Sequence, residues 1–234
     1  MHTVQRRSYK EPSYAMTTIA VIHTGPVTVQ PIKEQISEQI PEARVINIID
    51  DSLLADVRTA GHLTPEVASR INSYMSNAQA MHADIILNAC SSVGEAVDYV
   101  RNFVTTPIVK IDEAMAEEAS SIGRRIGVVA TVSTTLEPTV RLIKKKAAEL
   151  DRTIDVTERI AEGAFEALLS GDAAKHDEIV MGTISALTEQ VDVVVLAQAS
   201  MARLVPQLEG VRIPVLSSPQ SGVAALKRAL ANIR

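Results

Sequence analysis

Short aliphatic and β-branched runs alternate along this chain with longer stretches in which apolar residues recur every three or four positions. That alternation is the pattern of βα units feeding a parallel sheet. Runs at 18–24, 44–49, 84–88, 107–111, 125–131, 154–157, 192–197 and 214–217 predict eight strands. Helix starts are marked at Thr64-Pro65-Glu66 and Glu137-Pro138-Thr139, because a proline in the first turn gives up an N–H that has no helical partner there.

The eight strands divide into two sets of four that repeat one another. AVIHTGPVTVQP from Ala20 aligns with GVVATVSTTLEP from Gly127, so Thr24 meets Thr131, Thr28 meets Thr135 and Pro31 meets Pro138 at one constant offset. Asp84 meets Asp192, Cys90 meets Gln198 and Ser92 meets Ser200 at an offset one residue longer; Thr106-Pro107 then meets Ile213-Pro214 at the first offset again. An offset held across three separate strands reads as an internal duplication. The expected fold is α/β: two pseudo-symmetric lobes, each a four-stranded largely parallel sheet flanked by helices, with a cleft between them. Ligands of such sheets bind beyond the carboxyl ends of the strands.

Composition narrows the possible partners. Of 234 residues, 46% are hydrophobic and 22% charged, which is globular and enough for two lobes. Aromatic residues make up 3%, with no tryptophan, so stacking platforms for nucleic acid are not expected. The formal charge is -5, and the triplet Lys144-Lys145-Lys146 reads as a solvated helix face. No apolar run reaches the roughly 18 residues of a membrane helix. Residues 1–16 read as a disordered extension. Their Arg6-Arg7 pair resembles a twin-arginine signal, but the apolar segment after it is short and interrupted, so a cytoplasmic location is expected, with Met16 an alternative start. A single cysteine excludes an internal disulfide and a cysteine-based zinc cluster. With no glycine-rich phosphate loop and no ligand spacing among the histidines, neither metal nor cofactor is expected.

The repeat brings polar residues to the strand ends. Strand one of each set runs into a threonine-rich turn, 24–28 and 131–135; strand three runs into Cys90-Ser91-Ser92 and Gln198-Ala199-Ser200. Cys90 leads into SVGEAVDYVR, which has helical periodicity. At a helix N-terminus, free amide N–H groups and the dipole would lower the thiol's pKa. Cysteine is otherwise a small buried hydrophobe, a reading that loses weight beside two serines at a strand end. Ser91, Ser92, Thr134 and Thr135, with the same amides, can hold a carboxylate without arginine, though ordinary capping accounts for some of these hydroxyls.

Together, the ACSS turn, the mirrored LAQASM turn, the ATVSTT segment and the two-lobe repeat resemble the aspartate/glutamate/hydantoin racemase superfamily over residues 17–230. IHTGPVTV and IIDDSLLAD resemble a bacterial racemase-like subgroup of it. The resemblance implies strand exchange between the lobes, with 17–105 plus 212–234 forming one and 106–211 the other. It also implies a cofactor-free enzyme, a homodimer or higher homo-oligomer, and a small carboxylate substrate bound by Thr24, Asn88, Ser91, Ser92, Thr131, Ser133, Thr134, Thr135 and Ser200. The family sets a cysteine on each face of the substrate carbon. Here the first falls on Cys90 and the second on Gln198, which does not titrate and so cannot carry a proton.

One thiol fits three functions. The first is an isomerase of amino, hydroxy or unsaturated acids, with Cys90 as acid/base or, as resemblance to maleate isomerases implies, as covalent nucleophile. The others are a one-base decarboxylase and a non-catalytic, two-lobed small-acid binding protein. His23, at the end of strand one, is the first candidate for the missing base. Asp50-Asp51 and Asp112-Glu113 follow strands two and four, where capping explains them as well as catalysis does. His62, His82 and His176 are expected at the surface.

Overall fold

The computed structural model describes residues 16–208 and 210–233, so the expected extension, apart from Met16, lies outside the described residues. The first half runs β1 (Thr18–His23), α1 (Val29–Gln39), β2 (Arg44–Ile49), α2 (Ser52–Ala60), α3 (Pro65–Ala80), β3 (Ile85–Asn88), α4 (Gly94–Val100) and β4 (Ile108–Lys110). The second runs α5 (Glu113–Ile122), β5 (Arg125–Ala130), α6 (Ser133–Glu149), β6 (Asp155–Ile160), α7 (Ala164–Leu169), α8 (Ala173–Leu187), β7 (Val193–Leu196), a 3-10 segment (Ala199–Leu208), β8 (Val215–Ser217) and α9 (Ser218–Ile233). The strands form two parallel sheets, β2-β1-β3-β4 and β6-β5-β7-β8.

β1 and β5 are central and packed on both faces, which is why their sequences are apolar runs rather than alternations. Ile19 and Val21 face one core and Ala20 and Ile22 the other. The repeated aspartates set where these strands begin. Asp84 Oδ2 accepts the Thr18 amide at 2.7 Å, and Asp192 Oδ2 accepts the amides of Arg124 and Arg125 at 3.0 and 2.8 Å. Thr64 caps α3 as expected, its Oγ1 accepting the Val67 amide at 3.3 Å. α6 differs from expectation: it starts at Ser133, so Pro138 lies inside the helix. A proline there leaves the Thr134 carbonyl without its helical donor. No helix among the described residues is long and apolar enough to cross a membrane.

The expected exchange of strands does not occur; helices are exchanged instead. β4 pairs with β3 and β8 with β7, so each sheet is built from one continuous half of the chain. After β4 the chain crosses, and Met115, Ala116 and Ala119 of α5 pack with Ile126 and Val128 of β5. After β8 it crosses back, and Val223, Leu226 and Leu230 of α9 pack with Ile19 and Val21 of β1. The lobe boundaries therefore fall at the ends of β4 and β8, a few residues after the expected 106 and 212. One face of each sheet is closed by the helix that follows the other sheet's last strand: α5, after β4, joins α6 on the second sheet, and α9, after β8, joins α1 on the first. Gly222 marks the crossing, because a Cβ there would stand 2.3 Å from the Ile111 carbonyl oxygen.

Candidate active site

In both sheets the connections diverge between the first and third strands, β1/β3 and β5/β7, and such switch points leave a crevice at the carboxyl ends. The two crevices face one small cavity of about 80 Å³. Lobe 1 lines it with Thr24, Thr28, Leu54, Cys90, Ser91 and Ser92, lobe 2 with Thr135, Gln198 and Ser200, and Ser218 at the start of α9 closes it. Cys90 is the one titratable side chain among the described residues of the lining. A larger groove of about 550 Å³ opens beside it, sharing only Ser92 and lined otherwise from α4, α6, α2 and the turn after α2. The larger groove does not contain the thiol, which lies in the smaller cavity.

Cys90 sits in extended backbone just before a 3-10 turn, Ser91–Val93, that leads into α4. Asn88, fully buried, fixes this bend by donating from Nδ2 to the Cys90 carbonyl at 2.9 Å. The thiol is half-buried. Contrary to the lowering expected at a helix start, burial pushes its pKa up; the Thr24 and Ser92 hydroxyls and the Ser92 and Val93 amides offset part of that by hydrogen bonding to sulfur. Loss of hydration outweighs donors supplied by a single short turn. The resting group is a thiol surrounded by donors that stabilise a thiolate once it forms.

The equivalent position across the cavity is built differently. Gln198 Oε1 accepts the Thr131 amide at 2.6 Å, and its Nε2 donates to Thr131 Oγ1 at 2.8 Å. The amide is clamped to its own lobe by the threonine that matches Thr24. The lobes meet through Ser92 Oγ and Thr135 Oγ1, 3.1 Å apart, and through Arg141 Nε donating to Glu95 Oε1 at 2.6 Å.

The expected residues do not all converge. His23 is fully buried and outside the cavity lining, with Nδ1 2.7 Å from Thr28 Oγ1 and Nε2 3.0 Å from Asn47 Oδ1. Burial lowers its pKa, partly countered by the Asn47 bond. Both ring nitrogens are engaged, so it holds Thr28 in the wall and does not itself meet the cavity. Thr134 is buried, with its Oγ1 unpartnered, beside the larger groove. Ser133 is exposed on the outer side of the first turn of α6. Asp50 accepts from Ser52, Arg70 and Tyr74 and fixes the start of α2. His62 and His82 are exposed as expected. His176 is fully buried instead, because it lies on the inward stripe of α8 with Val180, Ile184 and Leu187. Leu54 and Ser218 were missed. The repeat offset held the signal for Ser218, which matches Ile111 of the lining at the end of β4.

Comparison with known proteins adds the following. The family model described as Asp/Glu/Hydantoin racemase matches residues 19–226. Among solved structures, a glutamate racemase isoform from Bacillus anthracis superposes with a TM-score of 0.74 at 18% identity, over 92% of this chain and 82% of the other. Aspartate racemase from Picrophilus torridus gives 0.71 at 16% identity, over 92% and 94%. A cysteine-for-glycine variant of arylmalonate decarboxylase gives 0.58 at 16% identity, over 92% and 93%. At these identities the likeness is one of fold. Comparison with curated protein sequences found no match.

Proposed function

The chain belongs to the Asp/Glu/hydantoin racemase family, and from that premise we propose that it is a cofactor-independent isomerase of a small carboxylic acid with Cys90 as its acid/base. One observation carries the reading: a small cavity between two matched strand-end walls presents a single titratable group, Cys90, opposite a clamped Gln198. The Cys90 thiolate takes the proton α to the carboxylate, so the C–H bond breaks, an S–H bond forms and the electron pair enters an enediolate. The serine and threonine hydroxyls of the lining bind the carboxylate and the charge it gains. The same thiol returns the proton at a conjugated carbon, which isomerises the acid; return at the carbon it came from restores the substrate and only exchanges its hydrogen. The Gln198 wall, which holds no proton to exchange, excludes thiol-mediated return from the opposite face. The racemases among the structural neighbours support this class, and the soluble homo-oligomer implied by the family is part of the same proposal.

A second reading is a one-base decarboxylase, favoured by the burial that keeps Cys90 protonated at rest and by the decarboxylase among the neighbours. There a malonate-type diacid loses one carboxylate as carbon dioxide, the pair of the broken C–C bond enters an enediolate on the other carboxylate, and the thiol donates its proton to that carbon. Incubation in D2O with a panel of amino, hydroxy and unsaturated acids and malonate-type diacids separates the two. Deuterium at the α-carbon of recovered acid supports the isomerase; carbon dioxide release with one deuterium incorporated supports the decarboxylase. A protein that binds one of the acids, shows neither outcome, and whose Cys90→Ser variant binds it equally well is a sensor, and the enzyme reading fails.

A further inference from the structure

Removing a proton next to a carboxylate doubles the charge on that group, and none of the described residues lining the cavity carries a positive charge. A neutral acid that hands a proton to the carboxylate oxygen would meet the same need. Behind the cavity wall lies such a group. Asp112, in the turn after β4, is 3% exposed, its Oδ1 has no partner, and the Ser91 hydroxyl hydrogen-bonds its carboxyl. Lys110 is equally buried but points its ammonium at Asp98 Oδ1, 3.1 Å away, and more distantly at Glu113. Asp112 thus has no direct ion pair, and burial holds its pKa above the usual carboxylate range despite Ser91 and Lys110.

Resting on the proposed carboxylate chemistry, we infer that Asp112 is a positioning residue that neutralises the substrate's developing charge through Ser91. Ser91 lines the reaction cavity, and it also lines a second cavity of about 80 Å³ that Asp112 and Lys110 share. As Cys90 takes the α-proton, the enediolate oxygen accepts the Ser91 proton, Ser91 Oγ accepts the Asp112 proton, and Asp112 is left as carboxylate. The charge moves from the substrate to a site flanked by Lys110. Return of the α-proton reverses each transfer, so no co-reactant is consumed. The ionisable groups facing Asp112 are Lys110 and Glu113 beside it and Glu95, Asp98, Arg141 and Lys145 around the second cavity.

Iodoacetate, a small carboxylate that alkylates thiols, and its neutral amide, iodoacetamide, test this without knowledge of the natural substrate. The ratio of their alkylation rates at Cys90 cancels the thiolate fraction at each pH. In the unaltered protein the ratio is expected to favour iodoacetate at about pH 5 and to fall by roughly five-fold or more by about pH 9, as Asp112 ionises and repels the reagent's carboxylate. Asp112→Asn is expected to give a flat ratio and Asp112→Glu to restore the slope, while Ser91→Ala, which keeps the Asp112 charge, is expected to lose the preference for iodoacetate at about pH 5, with thermal unfolding confirming that each variant is folded. A slope unchanged in folded Asp112→Asn, or a flat ratio in the unaltered protein, overturns the inference. If iodoacetate is not preferred at any pH and small acids do not protect Cys90, the carboxylate-binding reading fails and the inference falls with it. A preference that survives without its slope sinks the relay alone.

Discussion

The two lobes present the same backbone bend at the end of their third strand and spend it differently. In lobe 1 the side chain at the bend is a sulfur that lines the cavity together with its donors, Thr24 and Ser92. In lobe 2 it is an amide whose oxygen and nitrogen are both turned back onto Thr131. The matched threonines thus have different partners: Thr24 hydrogen-bonds a group that can ionise, and Thr131 immobilises a group that cannot. Of the two matched walls, one carries a titratable group and the other a hydrogen-bonded, rigid one. Fixed hydrogen-bonding walls give geometry, and titrating ones give turnover.

The largest expected break in this comparison is Cys90→Ala. It removes the proposed carrier of the α-proton, so α-deuterium incorporation measured by NMR should fall by roughly 10²–10⁴-fold, the range of a lost general acid/base. Gln198→Ala should cost far less, roughly tenfold, and equal losses from the two substitutions would deny that the lobes differ. Gln198→Cys sharpens the contrast by giving lobe 2 a thiol. Two alkylatable cysteines per chain should be found by mass spectrometry, with deuterium in both enantiomers of a chiral substrate. Freeing the Thr131 amide should lower stability by about 1–3 kcal/mol.

Smaller effects probe the scaffold. Gly222→Ala forces α9 away from the Ile111 carbonyl and should cost about 1–3 kcal/mol, read calorimetrically as a fall in Tm of about 2–4 °C per kcal/mol. The smallest effect concerns the paired aspartates. Hydrogen bonds from the Arg125 side chain, then from the Arg125 and Arg124 amides, hold the Asp192 pKa at about 2. A pKa below the unfolded value means that the unfolded state binds the proton first. Stability from Asp192 is therefore present above an ordinary aspartate pKa of about 4 and is lost as pH falls toward about 2. Asp192→Asn should flatten this acid limb in denaturant titrations, and a limb unchanged by the substitution would remove Asp192 from the account.

The strands, their division into two sets of four and the matching of Cys90 with Gln198 were legible because the duplication wrote each of them twice. What was not legible depends on packing at a distance. Helical periodicity shows that α5 and α9 have an apolar stripe but not which lobe receives it, so the exchange was assigned to strands. The raised pKa of Cys90 follows from how much protein surrounds the bend, which a motif does not encode. His23 has the right residue type at a strand end, yet Thr28 and Asn47 take both its nitrogens. His176 was readable: its spacing to Val180, Ile184 and Leu187 is that of a buried stripe, and its polarity was allowed to outweigh that spacing.

The exchanged helices also order events during synthesis. The face of the first sheet carrying Ile19, Val21, Ile85 and Leu87 is covered jointly by α1 and α9. α1 emerges from the ribosome early, but α9 follows only after the whole second sheet has been made. At elongation rates of about 5–20 residues per second, that half-covered face waits roughly 5–25 s for its second helix. The nascent chain consequently carries sticky apolar surface through most of its translation, and the amino-terminal half becomes a finished domain only when the carboxyl-terminal half is complete.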